Sequence, residues 1–226
     1  MITAKIGIRR YRLPKRFTIE QWKKVAALDI EDHRSWPKIM AIGFKQPYHK
    51  FWNIEEEGLI LGASLVTTQM SNRRECKLID FTKLRLGEFI DLDIYLISGI
   101  DKNIDAIVDL LCIKKPKYVD EALWAIDQYA QFRMSTYRQY SGLFGLNKHG
   151  EPEDEEEDWD PQKVAKGWYR VLVNLAQNDI TKLDEVTELP LKFALNFMAL
   201  QKEQILEENF NKLKQKRQHD LQRRNR

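Results

Sequence analysis

The stretch from residue 191 to residue 226 contains neither glycine nor proline, and it constrains the fold more than any other feature of the sequence. Pro190 precedes it, and proline suits the start of a helix because the first turn leaves its N–H groups unbonded. We expect one continuous C-terminal helix, about 54 Å long at ~1.5 Å per residue. Apolar residues are dense up to Leu200 and sparse from Ile205 onward. The first half should therefore pack on a core, and the second half should project, fray or lie on a partner.

Glycine (10) and proline (7) are scarce in the 226 residues as a whole, which favours long helices. Thr18 and Gln21 have the spacing of a capping box, and Asp160-Pro161 is a typical N-cap and first-turn pair. Asp101 and Asp120 are expected to cap two further helices. The predicted helices cover about 18–30, 36–44, 54–70, 87–98, 101–115, 120–144, 161–175, 181–187 and 190–226, with an extended segment at 77–84. This pattern predicts an all-α helical bundle with a long C-terminal helix and a short extended N-terminal arm.

Three regions follow from this pattern. Residues 1–17 form a basic N-terminal arm, in which loose alternation up to Pro14 indicates either a short strand or an extended segment. Residues 18–205 form a helical core domain with an acidic loop at 147–160, and residues 206–226 form a basic helical tail. The side chains expected to be largely buried in the core are Trp22, Phe89, Leu92, Tyr95, Trp124 and Trp168.

Several classes of protein are not expected from the sequence. No window approaches 18 uncharged apolar residues, so a membrane span is not predicted. The N-terminus lacks the apolar run and cleavage site of a secretory signal. Cys76 and Cys112 lie far apart without a CxxC motif, which is typical of core thiols in a reducing compartment.

Motifs for catalysis are also missing. The four histidines lie in four different segments: His33, His49, His149 and His219. The sequence has no HExxH, GxSxG, GxGxxG or GxxxxGK[ST] motif. Asp91 and Asp93 are about 200° apart on a helix and cannot share an ion, whereas Glu88 and Asp91 share a face as polar positions at a helix edge. We therefore predict that the chain is not an enzyme and needs no cofactor or metal.

Charge is segregated along the chain although the net charge is only +3. Residues 151–160 hold eight carboxylates, residues 212–226 hold seven cations and one acid, and residues 5–16 hold six cations and no acid. Segregated charge favours surfaces made for partners over a chemical pocket. The candidate interaction residues are Arg9, Arg10, Arg12, Lys15, Arg16, Glu153, Asp154, Glu155, Glu156, Glu157, Asp158, Lys212, Lys214, Lys216, Arg217, Arg223, Arg224 and Arg226.

Three interpretations of these charges stay open. The acidic loop of one copy could meet a basic arm of the next copy. The basic arms could instead contact nucleic-acid phosphates, since each Lys or Arg can displace a condensed counterion. They could also be solvated ends without a partner.

Three segments together resemble proteins of tailed phages. They are RRYRLP at 9–14 followed by FTIEQW at 17–22, LRLGEFIDLD at 84–93, and WYRVLVNLAQND at 168–179. This layout is similar to virion or tail-assembly proteins, especially those of crAss-like gut phages. The resemblance implies a structural component near the portal, neck or tail, or a tail-assembly chaperone.

Because neck and ring proteins of such phages are commonly dodecameric, the resemblance further implies a ring of identical copies that contacts neighbouring portal, neck or tail proteins. It places the chain in the virion, and in the host cytoplasm during assembly. It supplies no active-site residues.

Overall fold

The computed structural model describes residues 2–6, 9–144 and 160–224. In these ranges the protein is largely all-α, with a short N-terminal sheet and a long C-terminal helix, as the sequence predicts. The α-helices are α1 (Ile19–Ala26), α2 (Trp36–Phe44), α3 (Glu56–Met70), α4 (Leu86–Ile97), α5 (Ile100–Leu111), α6 (Val119–Gln139), α7 (Ser141–Phe144), α8 (Pro161–Leu175), α9 (Leu183–Thr187) and α10 (Leu191–Arg224). Short 3-10 helices cover His33–Ser35, Tyr48–Phe51, Phe81–Lys83 and Ile180–Lys182.

The N-terminal segment is a β-hairpin. Strand β1 (Ile2–Ile6) pairs antiparallel with β2 (Arg9–Leu13), in a register that runs from Ile2 opposite Leu13 to Ile6 opposite Arg9. Tyr11 and Leu13 are buried on one face of β2. The Tyr11 ring lies between Phe44 and Phe51, with centroid distances of 5.4 and 5.3 Å. This aromatic contact anchors the hairpin, which the sequence indicated only as a strand or an extended arm.

The chain divides into two compact units. The first comprises Met1–Ile79 and Leu92–Ala130. In its core α2 packs against α3, where Gly43 is so close to Val66 that a Cβ added to it would lie 2.2 Å from Val66 Cγ2. Ile39, Met40 and Val66 are fully buried there. A side chain at position 43 would therefore force these two helices apart.

The second unit comprises Asp80–Asp91 and Gln131–Arg226. Its centre is an aromatic cluster in which Phe89 meets Tyr137 and Trp168 edge to face, at 6.3 and 5.9 Å, while Phe144 stacks on Tyr137 at 4.1 Å. The start of α10 is tied in by backbone bonds, because Leu86 N–H donates to Leu189 O and Leu191 N–H donates to Leu84 O. The predicted division into arm, core and tail stays a prediction.

Two predicted helix starts are confirmed in detail. Thr18 and Gln21 form the complete capping box of α1. Asp160, which directly precedes Pro161, caps α8 by accepting a hydrogen bond from Gln162 N–H. Asp101 was wrong as a cap, because Gly99 occupies the N-cap position of α5 with φ +108°. Asp120 was also wrong as a cap, because α6 begins one residue earlier, at Val119.

Other predicted boundaries require correction. Helix α1 ends at Ala26 and not near residue 30, and the Asp29 carboxylate accepts from Glu31 N–H in a local turn that competes with helix. The segment expected to be extended at 77–84 contains a 3-10 helix at Phe81–Lys83, because the Asp80 side chain caps it. The helix predicted over 120–144 is divided into α6, which ends at Gln139, and the short helix α7, which contains Gly142.

None of the six predicted core residues is exposed. Phe89, Leu92 and Trp168 are buried, whereas Trp22, Tyr95 and Trp124 are half-buried. Large aromatics with a polar atom are seldom fully buried, because that atom reaches toward water. Among the described helices, none combines the length and the apolar content that spanning a bilayer requires.

Candidate protein–protein interface on the C-terminal helix

The first turns of α10 pack on the second unit through one face of the helix. Leu191, Ala194 and Leu195 are buried on that face. Tyr140 O–H donates to Asn196 Oδ1 at 2.7 Å, and Lys202 Nζ donates to the carbonyl oxygen of Gly142. These contacts hold the helix in place up to about residue 202.

The same turns carry a second apolar stripe on the other side. Phe193, Phe197 and Leu200 are all exposed. At 100° per residue they fall within a narrow arc that faces away from Leu191, Ala194 and Leu195. This part of α10 therefore has apolar groups on its solvent side as well as on its packed side.

Beyond this point, every residue from 200 to 218 is exposed. Leu206, Phe210 and Leu213 nevertheless form a line, because their spacings of four and three residues bring them to one face. Their exposed fractions are 58%, 66% and 51%. We call residues 203–217 the tail segment and this line its apolar seam. An apolar seam on an otherwise solvated helix is the arrangement that helix-binding partners cover.

Charge changes sign along the tail segment. Its first turns carry Glu203, Glu207 and Glu208, and its last turns carry the predicted interaction residues Lys212, Lys214, Lys216 and Arg217. All seven side chains are exposed. Lys212 pairs with Glu208 one turn earlier at 3.8 Å, an exposed pair of the kind that contributes only a few tenths of a kcal/mol, roughly 0.3–0.5.

The N-terminal candidates divide into two groups. Arg9, Arg10, Arg12 and Lys15 are exposed, as an interaction surface requires. Arg16 is instead an internal contact of the first unit.

Arg16 donates to both carboxylate oxygens of Asp120, with Nε–Oδ2 at 2.7 Å and a terminal nitrogen–Oδ1 distance of 2.6 Å. It also pairs with Glu121 at 2.8 Å and lies 3.9 Å above the centre of the Tyr118 ring. The hydrogen bonds to Asp120 raise the pKa of Arg16 above its ordinary value. Arg16 therefore serves the fold and is unavailable to a partner.

The remaining predicted interaction residues have no structural outcome. The acidic residues Glu153, Asp154, Glu155, Glu156, Glu157 and Asp158 lie outside the described residues, as does Arg226. The side chains of Arg223 and Arg224 are likewise outside the description. Pairing between the acidic loop and a basic arm of a neighbouring copy stays a prediction.

Glu88 and Asp91 do share a face, and they line a cavity of about 290 Å³ together with Arg85 and Glu188. Arg85 is engaged there. Its guanidinium pairs with Glu188, and its backbone N–H donates to Glu88 Oε2 at 2.9 Å. Partial burial raises the pKa of Asp91, and the charge of Glu88 adds to this effect. In the described ranges no group of three or more His, Cys, Asp or Glu side chains is arranged to hold a metal ion.

The two cysteines meet, which their spacing in the sequence did not indicate. Their sulfur atoms are 3.8 Å apart in the first unit, where Leu78 forms an isolated bridge with Cys112. Burial raises the pKa of Cys112 to about 12, and burial raises the pKa of Cys76 as well. Both thiols are therefore protonated near neutral pH and are poor nucleophiles.

These observations define a largely all-α protein whose C-terminal helix carries an exposed apolar seam and exposed charges. Comparison of the chain with protein families, with curated proteins and with solved structures finds no match.

Proposed function

We propose that the chain is a structural protein of the head-to-tail region of a tailed phage particle, at the neck, connector or tail. In this role it binds other protein subunits through α10 and assembles as a ring. The observation that carries the protein-binding role is the apolar seam of the tail segment, which is exposed at each of its three positions. Placement in a phage rests on the resemblance of the segments at 9–22, 84–93 and 168–179.

A partner would cover surface that is costly to leave in water. Single exposed apolar residues are common, but a line of them along one helix face marks an interaction site. Leu206, Phe210 and Leu213 could each contribute about 1–2 kcal/mol when covered, given that more than half of each side chain is exposed. The flanking charges would then select the partner and its direction.

We propose ring assembly from the same resemblance, and the separated charge of the chain supports it. In a closed ring each copy presents one surface to its neighbour and a different surface to the next neighbour. One of these surfaces can be acidic and the other basic, which suits a chain with separated charge. The dodecameric state is taken from the resemblance alone.

The second candidate function is binding to DNA phosphates, and one observation favours it. Arg10 and Arg12 alternate with the buried residues of β2, so both are presented on the exposed face of the hairpin. A non-virion assembly chaperone is the remaining alternative, and it would use the same helix as the structural protein.

The test uses purified particles of the phage that encodes the chain. Mass spectrometry of these particles should detect the wild-type protein, and its absence from mature particles would contradict the structural role and favour the chaperone. Truncation after Leu206 should leave the thermal unfolding of the protein unchanged, because residues 207–218 are exposed. It should also reduce incorporation strongly.

The matched control is the double variant Arg10→Ala/Arg12→Ala, which removes two exposed cations outside α10. It should be incorporated like the wild type. Normal incorporation of the truncated protein would contradict the assembly role. If, in addition, the wild-type chain binds duplex DNA with a steep salt dependence and either variant loses that affinity, binding to phosphates replaces the assembly role.

A further inference from the structure

The apolar seam of the tail segment has the periodicity of a two-stranded coiled coil. Leu206, Phe210, Leu213 and Arg217 follow one another at intervals of four, three and four residues. At 100° per residue these four positions fall within about 60° of one another, and Glu203 lies at the edge of the same arc. Glu208 lies on the opposite side of the helix. A second helix that packs on this seam would cover the apolar residues and leave Glu208 in solvent.

The charges of the tail segment are complementary to themselves when one copy is reversed. Residues 203–208 carry three carboxylates, and residues 212–217 carry four cations. An antiparallel pair of these segments places each acidic half beside the basic half of the other copy. The charges at the flanks of a coiled coil decide which partner and which direction is favoured.

We propose that the partner of the tail segment is the tail segment of a second copy of this chain, packed antiparallel. This inference rests on the proposed function, since it names the first protein that the assembly surface binds. The best register is centred between residues 211 and 212. There Phe210 of one copy lies beside Leu213 of the other, and Leu206 lies beside Arg217.

The same register satisfies the charges. Glu207 of one copy comes close to Lys214 of the other, because both lie on the same flank of the seam, and the two-fold axis repeats this pair. A parallel pair would instead set identical residues opposite each other, with Glu203 against Glu203 and Arg217 against Arg217 in the seam. The antiparallel register replaces the contact between the two Arg217 side chains by a contact of each with Leu206, whereas Glu203 still comes beside an acid, Asp220. The separation of the two arginines and the Glu207–Lys214 pairs therefore favour the antiparallel direction.

The contact closes on itself. An antiparallel pair has two-fold symmetry, and each copy uses the same surface, so the contact forms dimers and does not extend into a fibre. Such a dimer can join two rings or pair copies before a ring forms. The basic residues at 212–217 thus have an acidic partner in residues 203–208 of a second copy.

Sedimentation velocity tests the pairing. The wild-type chain should form dimers in the micromolar range. The variant Glu207→Lys should weaken dimerisation at least about tenfold, because each Glu207–Lys214 pair then becomes a pair of lysines. The variant Lys214→Glu/Arg217→Glu should also weaken dimerisation, because its segment then carries an excess of acids that repel each other. An equimolar mixture of the two variants should form a mixed dimer.

The matched control is Glu208→Lys, which changes the charge of the same helix by the same amount per residue but on the face away from the seam. Its dimerisation should stay within about threefold of the wild type, because the lost pair with Lys212 is exposed and weak. A wild-type chain that remains monomeric at 200 μM, or a dimer that persists after truncation at Lys202, would overturn the proposal.

Direction is tested by the distance between spin labels on the two copies, introduced through an unnatural amino acid so that Cys76 and Cys112 stay in place. Gln204 and Asn211 both lie away from the seam. In the antiparallel pair, labels at Gln204 are offset along the axis by about 15 residues, or roughly 22 Å, whereas labels at Asn211 are offset by roughly 1.5 Å. A clearly longer distance at Gln204 supports the proposal, and equal distances at the two positions contradict it.

The outcomes separate this inference from the proposed function. A chain that is monomeric in solution but present in purified particles overturns the dimer alone. A chain that dimerises through the tail segment but is absent from particles overturns the structural role and leaves the dimer standing.

Discussion

Replacement of Arg16 by alanine should destabilise the protein, whereas the same replacement of Arg12 should not. Both residues lie in the basic N-terminal stretch and look alike in the sequence. Arg12 is exposed on the hairpin. The Arg16 and Asp120 side chains are only 21% and 11% exposed, and they are joined by two hydrogen bonds.

The size of the effect follows from the degree of burial. Exposed ion pairs contribute about 0–1 kcal/mol, and breaking a fully buried pair costs about 3–5 kcal/mol. The Arg16 pair lies between these limits, and the start of α6 partly stabilises the Asp120 carboxylate that is left behind. We therefore expect Arg16→Ala to lower the free energy of unfolding by about 2 kcal/mol. In a chain of this size that corresponds to roughly 4–8 °C in Tm.

Urea unfolding followed by circular dichroism measures this difference. Arg16→Lys should fall between the wild type and alanine, because lysine keeps the charge but cannot form the paired hydrogen bonds. In a double-mutant cycle with Asp120→Asn, the coupling energy should be about 1–2 kcal/mol. If Arg16→Ala and Arg12→Ala differ by less than about 0.5 kcal/mol, Arg16 does not serve the fold in the way described.

Three further changes test other parts of the structure by unfolding measurements. Leu92→Ala should cost about 2–5 kcal/mol because Leu92 is fully buried, and a loss below about 0.5 kcal/mol would contradict its place in the core. Gly43→Ala should cost about 1–3 kcal/mol through its collision with Val66, and Val66→Ala in the same chain should relieve part of that cost; additive effects would be the contrary result. Because the pKa of Cys112 is raised to about 12 in the folded state, stability should fall as pH rises from about 9 toward 12, by up to ~1.4 kcal/mol per pH unit. Cys112→Ala should flatten this alkaline slope, and an unchanged slope would show that the buried thiol is not its source.

Local signals in the sequence predicted the helices well where a side chain caps its own helix. The bond from Thr18 to Gln21 and the Asp160-Pro161 pair depend on residues within one turn, so spacing alone reveals them. Asp101 failed as a cap for a local reason and Asp120 for a tertiary one. Gly99 can adopt a positive φ that starts α5 earlier, and the carboxylate of Asp120 is engaged by Arg16, which is 104 residues away in the sequence.

The candidate interface was only partly visible in the sequence. The length of its helix could be predicted because the stretch after Pro190 contains no glycine or proline. Its charges are visible in the residue types themselves. Arg16 differs from its exposed neighbours because it pairs with Asp120, and Cys76 contacts Cys112. No local pattern in the sequence encodes either long-range contact. The hairpin was half predicted, since the alternation in β2 was visible but its pairing with Ile2–Ile6 was not.

Hydrogen exchange of the tail segment at two protein concentrations tests most directly whether α10 is the protein-binding surface. Residues 203–217 are exposed in the single chain, so their amides should exchange rapidly at about 1 μM, where subunits separate. At about 200 μM the same amides should be protected, while those of the buried core around Leu92 and Ile107 should be unchanged. Equal exchange of the tail segment at both concentrations, in a protein that still associates, would place the interface elsewhere and contradict this account.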